Sequence, residues 1–390
     1  MIIQEAKKLT DVKEYYFSKK LQQIAELNKS GAEIINLGIG SPDMPPSDQT
    51  IETLYKSALN ENNHGYQSYK GLPQLREAIS NWLKKTYNVE IDYNSEILPL
   101  IGSKEGIIHI SMSFLNPDDE VLIPNPGYPT YSSVSKLAGA KIKYYNLEES
   151  KNWAIDVEKL SNQDLSKVKI MWLNYPNMPT GAKADNQLFE QLIKLAKKEK
   201  FLIVNDNPYS LILNDKPQSI LSINGAKDVV LELNSLSKSH NMAGWRIGWV
   251  SGNKDYINTI LKFKSNMDSG MFKPVQDAAI QALKNNPAWH KELNKKYALR
   301  RNYVYQILDN LNCKYDKKQV GMFVWAKVPD IITNTEVFVE NILQKAKVFI
   351  TPGFIFGSNG QKYIRISLCS KISTLKQANE RISNFIKEYN

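Results

Sequence analysis

Short apolar runs alternate with longer amphipathic stretches along this chain, and the alternation constrains its fold more than any other feature. The apolar runs have the length of buried strands and lie at residues 96–101, 120–123, 141–145, 169–174, 201–206, 229–233 and 245–251. Helical periodicity appears between them, at residues 51–59, 74–86, 104–115, 186–200 and 274–283. This order predicts an α/β fold with a mostly parallel seven-stranded sheet flanked by helices.

The length of 390 residues predicts more than one domain. We expect a large domain over residues 46–288 and a smaller α/β domain that an N-terminal arm, residues 1–45, and a C-terminal segment, residues 289–390, form together. The arm would hold a helix near residues 12–29. The C-terminal segment would hold a long polar helix, two strands and two further helices, at residues 287–311, 322–328, 363–368, 335–345 and 374–388.

Composition narrows the class of protein. No apolar run reaches the roughly 18 residues that span a bilayer, and the N-terminus has no signal-peptide pattern. The two cysteines, Cys313 and Cys369, form no CxxC pair, and the four histidines match no metal-binding motif. We therefore expect a cytoplasmic protein without a metal site or a membrane partner.

The net charge of +10 raises the question of a nucleic-acid partner. The lysines, however, are interleaved with apolar residues along helical stretches such as 192–200. This pattern is typical of a solvated helix face, so we expect no nucleic-acid partner.

One lysine has an unusual setting. Lys238 lies in a Ser/Gly-rich turn after the apolar run 229–233, eight residues before Arg246. A sheltered amine loses its proton readily and becomes a nucleophile. Hydroxyls and a guanidinium beside it form a phosphate cradle. An amine nucleophile next to a phosphate site indicates an aldehyde cofactor that carries a phosphate, namely pyridoxal phosphate.

Polar residues also follow other predicted strands, where ligands bind in open α/β sheets. Asp206 ends an apolar strand, and its carboxylate would hold a pyridine nitrogen protonated or cap a turn. Tyr209 is within reach of the ring's phenolic oxygen. Residues 102–104, Gly-Ser-Lys, begin a predicted helix and form either an anion site or a plain N-cap.

Two further residues have both a functional and an ordinary interpretation. Tyr128 lies in a rigid Asn-Pro-Gly-Tyr turn and would stack on a flat ring or lie on the surface. Arg365 interrupts an apolar strand and would bind a substrate carboxylate or an internal acid.

In these residues the chain resembles the class I/II pyridoxal-phosphate-dependent aminotransferases of fold type I, the aspartate aminotransferase superfamily. The likeness extends from about residue 34 to 370 in the family's order. It rests on the motifs at 37–43, Tyr66, 71–76, 102–104, 125–128, 179–181, 206–209, 235–246 and Arg365.

The resemblance implies a role for each matching residue. Lys238 would be the Schiff-base lysine and proton shuttle, Asp206 would pair with the pyridinium nitrogen, Tyr209 would bond the ring oxygen and Tyr128 would stack on the ring. Tyr66 would reach the cofactor of the neighbouring subunit in a homodimer. The phosphate would be held by Ser103, Lys104, Ser235 and Arg246, and the substrate α-carboxylate by Arg365 beside Gly40.

One position departs from the family. Met178 stands where the family has an asparagine that bonds the ring oxygen. Either Asn177 or Asn174 replaces it, or Tyr209 acts alone. We expect a neighbouring asparagine to take over, and we count Asn177 among the cofactor-binding and substrate-binding candidates.

The implied reaction is ping-pong transamination between an L-amino acid and a 2-oxo acid such as 2-oxoglutarate or pyruvate. A C–S β-lyase or a decarboxylase on the same fold is the alternative. The amino donor stays open between aromatic, methionine, aspartate and diaminopimelate types. Tyr15 or Tyr16 in the arm would line the substrate pocket or pack within a helix face.

Overall fold

The computed structural model describes residues 2–10, 12, 14 and 16–389. Its strands are β1 (Ile35–Asn36), β2 (Ile97–Leu100), β3 (Glu120–Asn125), β4 (Lys141–Asn146), β5 (Val168–Leu173), β6 (Leu202–Asp206), β7 (Val230–Ser235), β8 (Gly248–Gly252), β9 (Lys314–Tyr315), β10 (Phe323–Lys327), β11 (Val348–Phe349), β12 (Thr351–Pro352) and β13 (Tyr363–Ser367).

The helices surround these strands in chain order. They are α1 (Tyr16–Lys29), α2 (Asp48–Ala58), α3 (Pro73–Tyr87), α4 (Ser103–Phe114), α5 (Pro129–Leu137), α6 (Val157–Ser161), α7 (Asn186–Glu199), α8 (Leu236–Ser239), α9 (Lys254–Lys264), α10 (Lys273–Leu283), α11 (Pro287–Asn310), α12 (Thr335–Asn341) and α13 (Ile372–Tyr389). A π-helical turn, Ile342–Ala346, continues α12.

The main sheet has seven strands in the order β2-β8-β7-β6-β5-β3-β4. Every neighbouring pair is parallel except those that involve β8, which is antiparallel to both β2 and β7. The fold predicted from the apolar runs is therefore confirmed. The reversal of β8 has a consequence for the site: its first residue, Gly248, pairs with Leu100 and Ser235 at the ends of β2 and β7. Residues just before β8 therefore reach the carboxyl edge of the parallel strands.

Both faces of this sheet are buried because successive side chains of a strand point to opposite sides. In β5, Met171 and Leu173 pack into one apolar cluster, and Ile170 and Trp172 pack into another. Helices complete the two layers. For example, Asp185 caps α7 by accepting a 2.8 Å hydrogen bond from the backbone of Leu188. The sheet is thus a rigid support whose carboxyl edge is free to carry functional side chains.

A second core lies around the antiparallel sheet β12-β13-β10-β9. Phe17 and Ile24 of α1 belong to the same apolar cluster, and β1 pairs in parallel with β11. The arm therefore packs on the C-terminal segment, as the predicted smaller domain requires. The division at residues 1–45, 46–288 and 289–390 stays a proposal.

The sequence missed elements with weak local signals. The strands β1, β9, β11 and β12 have two residues each, too few to show a period. Helix α5, which begins with a proline and is rich in serine, was not predicted, and neither was α9. The arm helix was expected from residue 12, partly outside the described residues, and is described from Tyr16. Among the described residues, no helix is long and apolar enough to cross a membrane.

Candidate active site

A cavity of about 590 Å³ opens at the carboxyl edge of the main sheet. Ten of the twelve site residues expected from the sequence line it: Gly40, Ser103, Lys104, Tyr128, Asp206, Tyr209, Ser235, Lys238, Arg246 and Arg365. These residues come from the ends of five strands, from the arm and from the second core. The fold therefore brings together side chains that are up to 325 residues apart (Gly40 to Arg365).

Lys238 is carried by the short helix α8, which begins where β7 ends. Its Nζ donates a 2.5 Å hydrogen bond to the carbonyl oxygen of Gly40. Removal from bulk water lowers the pKa of this amine, and the positive charges of Arg365 and Arg246 act in the same direction. A lowered pKa makes the amine available as a nucleophile and as a base.

Asp206 ends β6 and is buried. Burial raises its pKa to about 7, and the hydrogen bond that Tyr131 Oη donates to Oδ2 at 2.9 Å opposes this rise. Oδ1 is also buried and has no hydrogen-bond partner among the described residues. A buried carboxylate oxygen of this kind calls for a donor, preferably a cationic one. A protonated pyridine nitrogen meets that requirement.

The first turn of α4 lines one end of the cavity. Gly102 precedes the helix with a φ of 85°, and Ser103 and Lys104 follow it. A Cβ at Gly102 would overlap the guanidinium of Arg246, so glycine permits the close approach of that cation. Burial lowers the pKa of Lys104, and the charge of Arg246 contributes. Helix N–H groups and two cations suit a phosphate.

Two serines complete this end of the cavity. Ser235 Oγ accepts a hydrogen bond from the backbone of Ser237 at 3.1 Å and donates to the carbonyl oxygen of Ile247 at 3.2 Å. Ser237 Oγ accepts a 3.3 Å hydrogen bond from Arg246 Nη1. The sequence motif contained Ser237 but gave it no role, and its hydroxyl orients the arginine.

Aromatic side chains form the walls. Tyr128 contacts Tyr131 edge to face at a ring-centroid distance of 5.5 Å, and Tyr209 contacts Phe323 in the same manner at 5.9 Å. Tyr131 in turn stacks on Trp172 at 5.0 Å. These packed rings give the cavity flat, stiff sides that accommodate a planar ligand.

Arg365 lies on β13 and is buried among aromatic rings. Its guanidinium carbon is 3.9 Å from the ring centroid of Phe323 and 5.5 Å from that of Phe17. Nη2 donates to the carbonyl oxygen of Gly38 at 2.7 Å, and Nη1 contacts Met178 Sδ at 3.0 Å. A guanidinium held in this way can bind a substrate carboxylate through two parallel hydrogen bonds.

The expectation for Asn177 requires a correction. Asn177 does not line the cavity, because its Oδ1 accepts hydrogen bonds from the backbone and hydroxyl of Thr180 in its own turn. Asn174 and Met178 line the cavity instead. Asn174 Nδ2 donates to the Asp206 carbonyl oxygen at 2.6 Å, and its Oδ1 accepts from the Met178 backbone at 2.7 Å. Of these two asparagines, Asn174 is therefore the one that lines the cavity.

The two tyrosines expected from outside the sheet have different placements. Tyr66 is 93% exposed and does not line the cavity of its own chain, so its role toward a partner subunit stays a prediction. Tyr16 packs edge to face on Phe354 at 5.8 Å, which agrees with the packing interpretation. Tyr15 lies outside the described residues. The α1 residues that line the cavity are Phe17, Ser18 and Leu21.

Sequence reasoning missed Tyr131, Phe17 and Phe323. Tyr131 had a usable signal, since it follows Tyr128, the N-cap residue of α5, by three residues. Phe17 and Phe323 had none, because aromatic residues in apolar stretches are usually core residues.

One group of potential metal ligands lies on the far side of α4: Glu105 Oε1 is 3.4 Å from His109 Nε2, and Asp268 is nearby. Lys264 Nζ lies 2.8 Å from Asp268 Oδ2. The buried ammonium of Lys264 already places a positive charge beside Asp268. We therefore interpret this group as an internal network of charged side chains.

The fold and this cavity together define a class of protein. A nucleophilic amine, a buried carboxylate oxygen in need of a cationic donor and a phosphate cradle converge at the edge of an open α/β sheet, as an enzyme of phosphorylated pyridine-aldehyde chemistry requires.

Comparison with known proteins defines the class further. The family described as aminotransferase class I and II matches residues 32–382. An LL-diaminopimelate aminotransferase of Maridesulfovibrio salexigens is 41% identical over 97% of this chain and 98% of its own length. Apo-BacF of Bacillus subtilis has 36% identity and a TM-score of 0.94 over 98% of each chain. An aminotransferase of Staphylococcus aureus has 31% identity and a TM-score of 0.89, covering 99% of this chain and 100% of that one.

The chain belongs to the class I and II aminotransferases. It is therefore an enzyme that transfers an amino group between an amino acid and a 2-oxo acid, and its cofactor is pyridoxal 5′-phosphate. The resemblance noted in the sequence motifs is confirmed.

Proposed function

We propose that Lys238 is the residue that links to the cofactor and carries the transferred proton. The observation that carries this proposal is the convergence of the Lys238 amine, the Asp206 carboxylate and the Arg365 guanidinium in one cavity. The bound cofactor supplies a protonated ring that withdraws electrons from the amino-acid Cα. Asp206 Oδ1 would hold the protonated ring nitrogen of the bound cofactor, and Lys238 Nζ would accept and carry the proton that leaves Cα.

The remaining cavity residues orient the two ligands. Ser103, Lys104 and Arg246 bind the phosphate, with Ser235 supporting the turn between them. Tyr128 stacks on the ring and Tyr209 donates to its ring oxygen. Arg365 binds the α-carboxylate of either substrate at the same place, beside Gly40, so the two substrates occupy the site in turn. Ping-pong kinetics follow from that shared position.

For the amino donor we propose LL-diaminopimelate, with 2-oxoglutarate or pyruvate as the acceptor. The support is the name of relatives that match this chain over nearly its full length at up to 41% identity. One observation favours a second candidate, a bulky apolar donor. Phe17 and Phe323 lie beside Arg365, and Leu21 of α1 adds to the apolar lining of the cavity.

We propose a homodimer in which Tyr66 of each chain reaches the cofactor phosphate of the other. Its 93% exposure supports this placement, as do the neighbouring exposed apolar residues Tyr69 and Phe272. A cytoplasmic location is proposed from the two cysteines, which are buried thiols.

The Lys238→Ala variant tests the role of the lysine. It should lose the visible absorbance of the cofactor linkage and nearly all turnover, while the matched variant of an exposed lysine, Lys216→Ala, retains both. A fully active Lys238→Ala variant would reject the assignment.

A donor panel tests the substrate. LL-diaminopimelate, phenylalanine, methionine and aspartate are each supplied with 2-oxoglutarate or pyruvate, and the half-reaction is followed spectroscopically. The highest kcat/KM for LL-diaminopimelate supports the first candidate, and the highest value for phenylalanine or methionine supports the second. Release of pyruvate and ammonia without an acceptor would instead indicate β-lyase activity.

A further inference from the structure

A partly buried ion pair joins α11 to the segment before α2, and neither of its residues lines the cavity. Arg300 of α11 binds Asp43 through both guanidinium nitrogens, with Nη1–Oδ1 at 2.6 Å and Nη2–Oδ2 at 2.9 Å. Arg300 Nη1 also donates to the carbonyl oxygen of Leu368 at 3.1 Å. The arginine side chain is 7% exposed and the aspartate side chain 24%. A two-bond fork of this kind fixes direction as well as distance.

The segment that Asp43 anchors carries two functional carbonyl groups. Residues 37–47 form no helix or strand between β1 and α2, and Asp43 is the only charged residue in 37–47. Within this segment the Gly38 carbonyl oxygen accepts from Arg365 Nη2, and the Gly40 carbonyl oxygen accepts from Lys238 Nζ. The two residues proposed to bind the substrate and move the proton are therefore oriented by one irregular stretch of backbone.

The same segment has little freedom on its inner side. A Cβ at Gly40 would overlap the ring of Phe323, and a Cβ at Gly38 would overlap the ring of Phe349. The backbone thus approaches the packed rings as closely as it can. Leu37 N–H donates to the Phe349 carbonyl oxygen, and Thr351 Oγ1 donates to the Gly38 carbonyl oxygen. The Asp43–Arg300 pair adds a charged tether farther along the segment.

The hydrogen bond from Arg300 to the Leu368 carbonyl oxygen connects the same arginine to the strand that carries Arg365. Leu368 follows β13, which carries Arg365, and the backbone of Ser367 donates to the Leu37 carbonyl oxygen at 2.8 Å. The Arg300 guanidinium therefore contacts both the segment 37–47, at Asp43, and the residue that follows β13, Leu368. We propose that Arg300 is a positioning residue for transamination, which sets the Gly38 and Gly40 carbonyls relative to Arg365 and Lys238.

This inference rests on the proposed roles of Lys238 and Arg365. It predicts that weakening the Arg300–Asp43 pair displaces the site at Arg365 that binds the substrate carboxylate. The residues proposed to bind the phosphate lie at the start of α4 and before β8, and their positions should not change. If the ion pair only stabilised the fold, its loss would lower the unfolding temperature and leave the affinity for substrate unchanged. The two cases differ in measurable quantities.

The experiment compares Arg300→Lys, which keeps the charge and loses the fork, with Asp43→Asn, which keeps the shape and loses the charge. Arg301→Lys is the matched control, since Arg301 lies next on α11 and donates to the Gln319 carbonyl oxygen instead. Each holoenzyme is measured for kcat and KM. Cofactor affinity is measured separately, and binding of the non-reactive carboxylate 3-phenylpropionate is followed by protein fluorescence.

We expect both variants to raise KM and the 3-phenylpropionate dissociation constant about tenfold, and to lower kcat/KM by up to about 10²-fold, as misplacement by an ångström does. Cofactor affinity and the Arg301→Lys control should stay within about twofold of wild type. Combining the two substitutions should add little, because both act through one pair.

The proposal is overturned if KM and 3-phenylpropionate binding are unchanged while only the unfolding temperature falls, or if cofactor affinity falls as much as substrate affinity. Should Arg300→Lys fail to fold, Asp43→Asn alone decides between these outcomes. Failure of the proposed residue roles is distinguishable, because wild-type protein would then lack the Lys238-dependent absorbance from the start.

Discussion

Tyr131 Oη donates a 2.9 Å hydrogen bond to Asp206 Oδ2, while Oδ1 of the same buried carboxylate has no hydrogen-bond partner among the described residues. The protein thus satisfies one oxygen itself and leaves the other for a ligand. A cationic N–H is the donor that suits a buried carboxylate best. Under the proposed roles, Tyr131 of α5 and the cofactor ring would share this carboxylate.

Cofactor binding to the cofactor-free protein should depend on the charge of Asp206. Its pKa is raised to about 7 by burial, so the affinity should fall as the pH falls through about 7 and the carboxylate becomes neutral. Tyr131→Phe removes a hydrogen bond that lowers this pKa, so the midpoint should move to higher pH by about one unit. Fluorescence titrations across pH measure both. The exposed Tyr144→Phe serves as the control, and an unmoved midpoint in Tyr131→Phe would contradict the prediction.

The contribution of Asp206 to the stability of the cofactor-free protein should depend on pH in the opposite direction from that of an aspartate with a lowered pKa. The folded-state pKa of Asp206, about 7, exceeds its usual value of 3.8, so the folded protein binds this proton more tightly than the unfolded chain does. The associated stability is fully present below about pH 3.8, is lost as the pH rises from there to about 7, and stays constant at higher pH. The unfolding free energy of wild type minus that of Asp206→Asn should fall by roughly 1.4 kcal/mol per pH unit within this window. Urea unfolding at several pH values measures it, and a flat or rising difference would disprove it.

Gly102→Ala should weaken cofactor binding. The added methyl group would overlap the Arg246 guanidinium, and the φ of 85° is unfavourable for alanine, which together cost about 1–3 kcal/mol. The cofactor dissociation constant should rise by about tenfold or more. Gly244→Ala is the matched control, since a Cβ at Gly244 has no heavy atom within 4 Å. Equal affinities of the two variants would argue against a phosphate cradle at Arg246.

Met178→Asn should change the proton affinity of the Lys238–cofactor linkage. An amide that donates to the ring oxygen competes with the proton shared by the linkage nitrogen and that oxygen. The pH at which the visible absorbance changes should therefore fall by about one unit. Met178→Leu, which keeps the volume and removes the sulfur contact to Arg365, should leave this pH unchanged. An unshifted titration in Met178→Asn would mean that Asn174 already makes the contact.

Much of the fold was predictable because its signals are local. Six of the seven main strands are short buried runs bounded by turn residues, whereas the edge strand β4 is largely exposed. The periodic faces of α3, α4, α7 and α10 appear directly in the sequence. The polar residues that end those runs, Asp206 and Ser235 among them, were identifiable for the same reason. Two-residue strands such as β1 and β11 were not, since they exist only through pairing with each other.

The sequence by itself determined the α/β class, the strand ends and the chemical types placed there, because hydrophobic periodicity and motif spacing are properties of neighbouring residues. Only the tertiary structure decided that Asn174 rather than Asn177 lines the cavity, that Tyr131 shares Asp206, and that Arg300 anchors the segment behind Gly40. These outcomes depend on turn geometry and on contacts between elements far apart in the chain. Such contacts form only when the sheet, the arm and the C-terminal segment pack together.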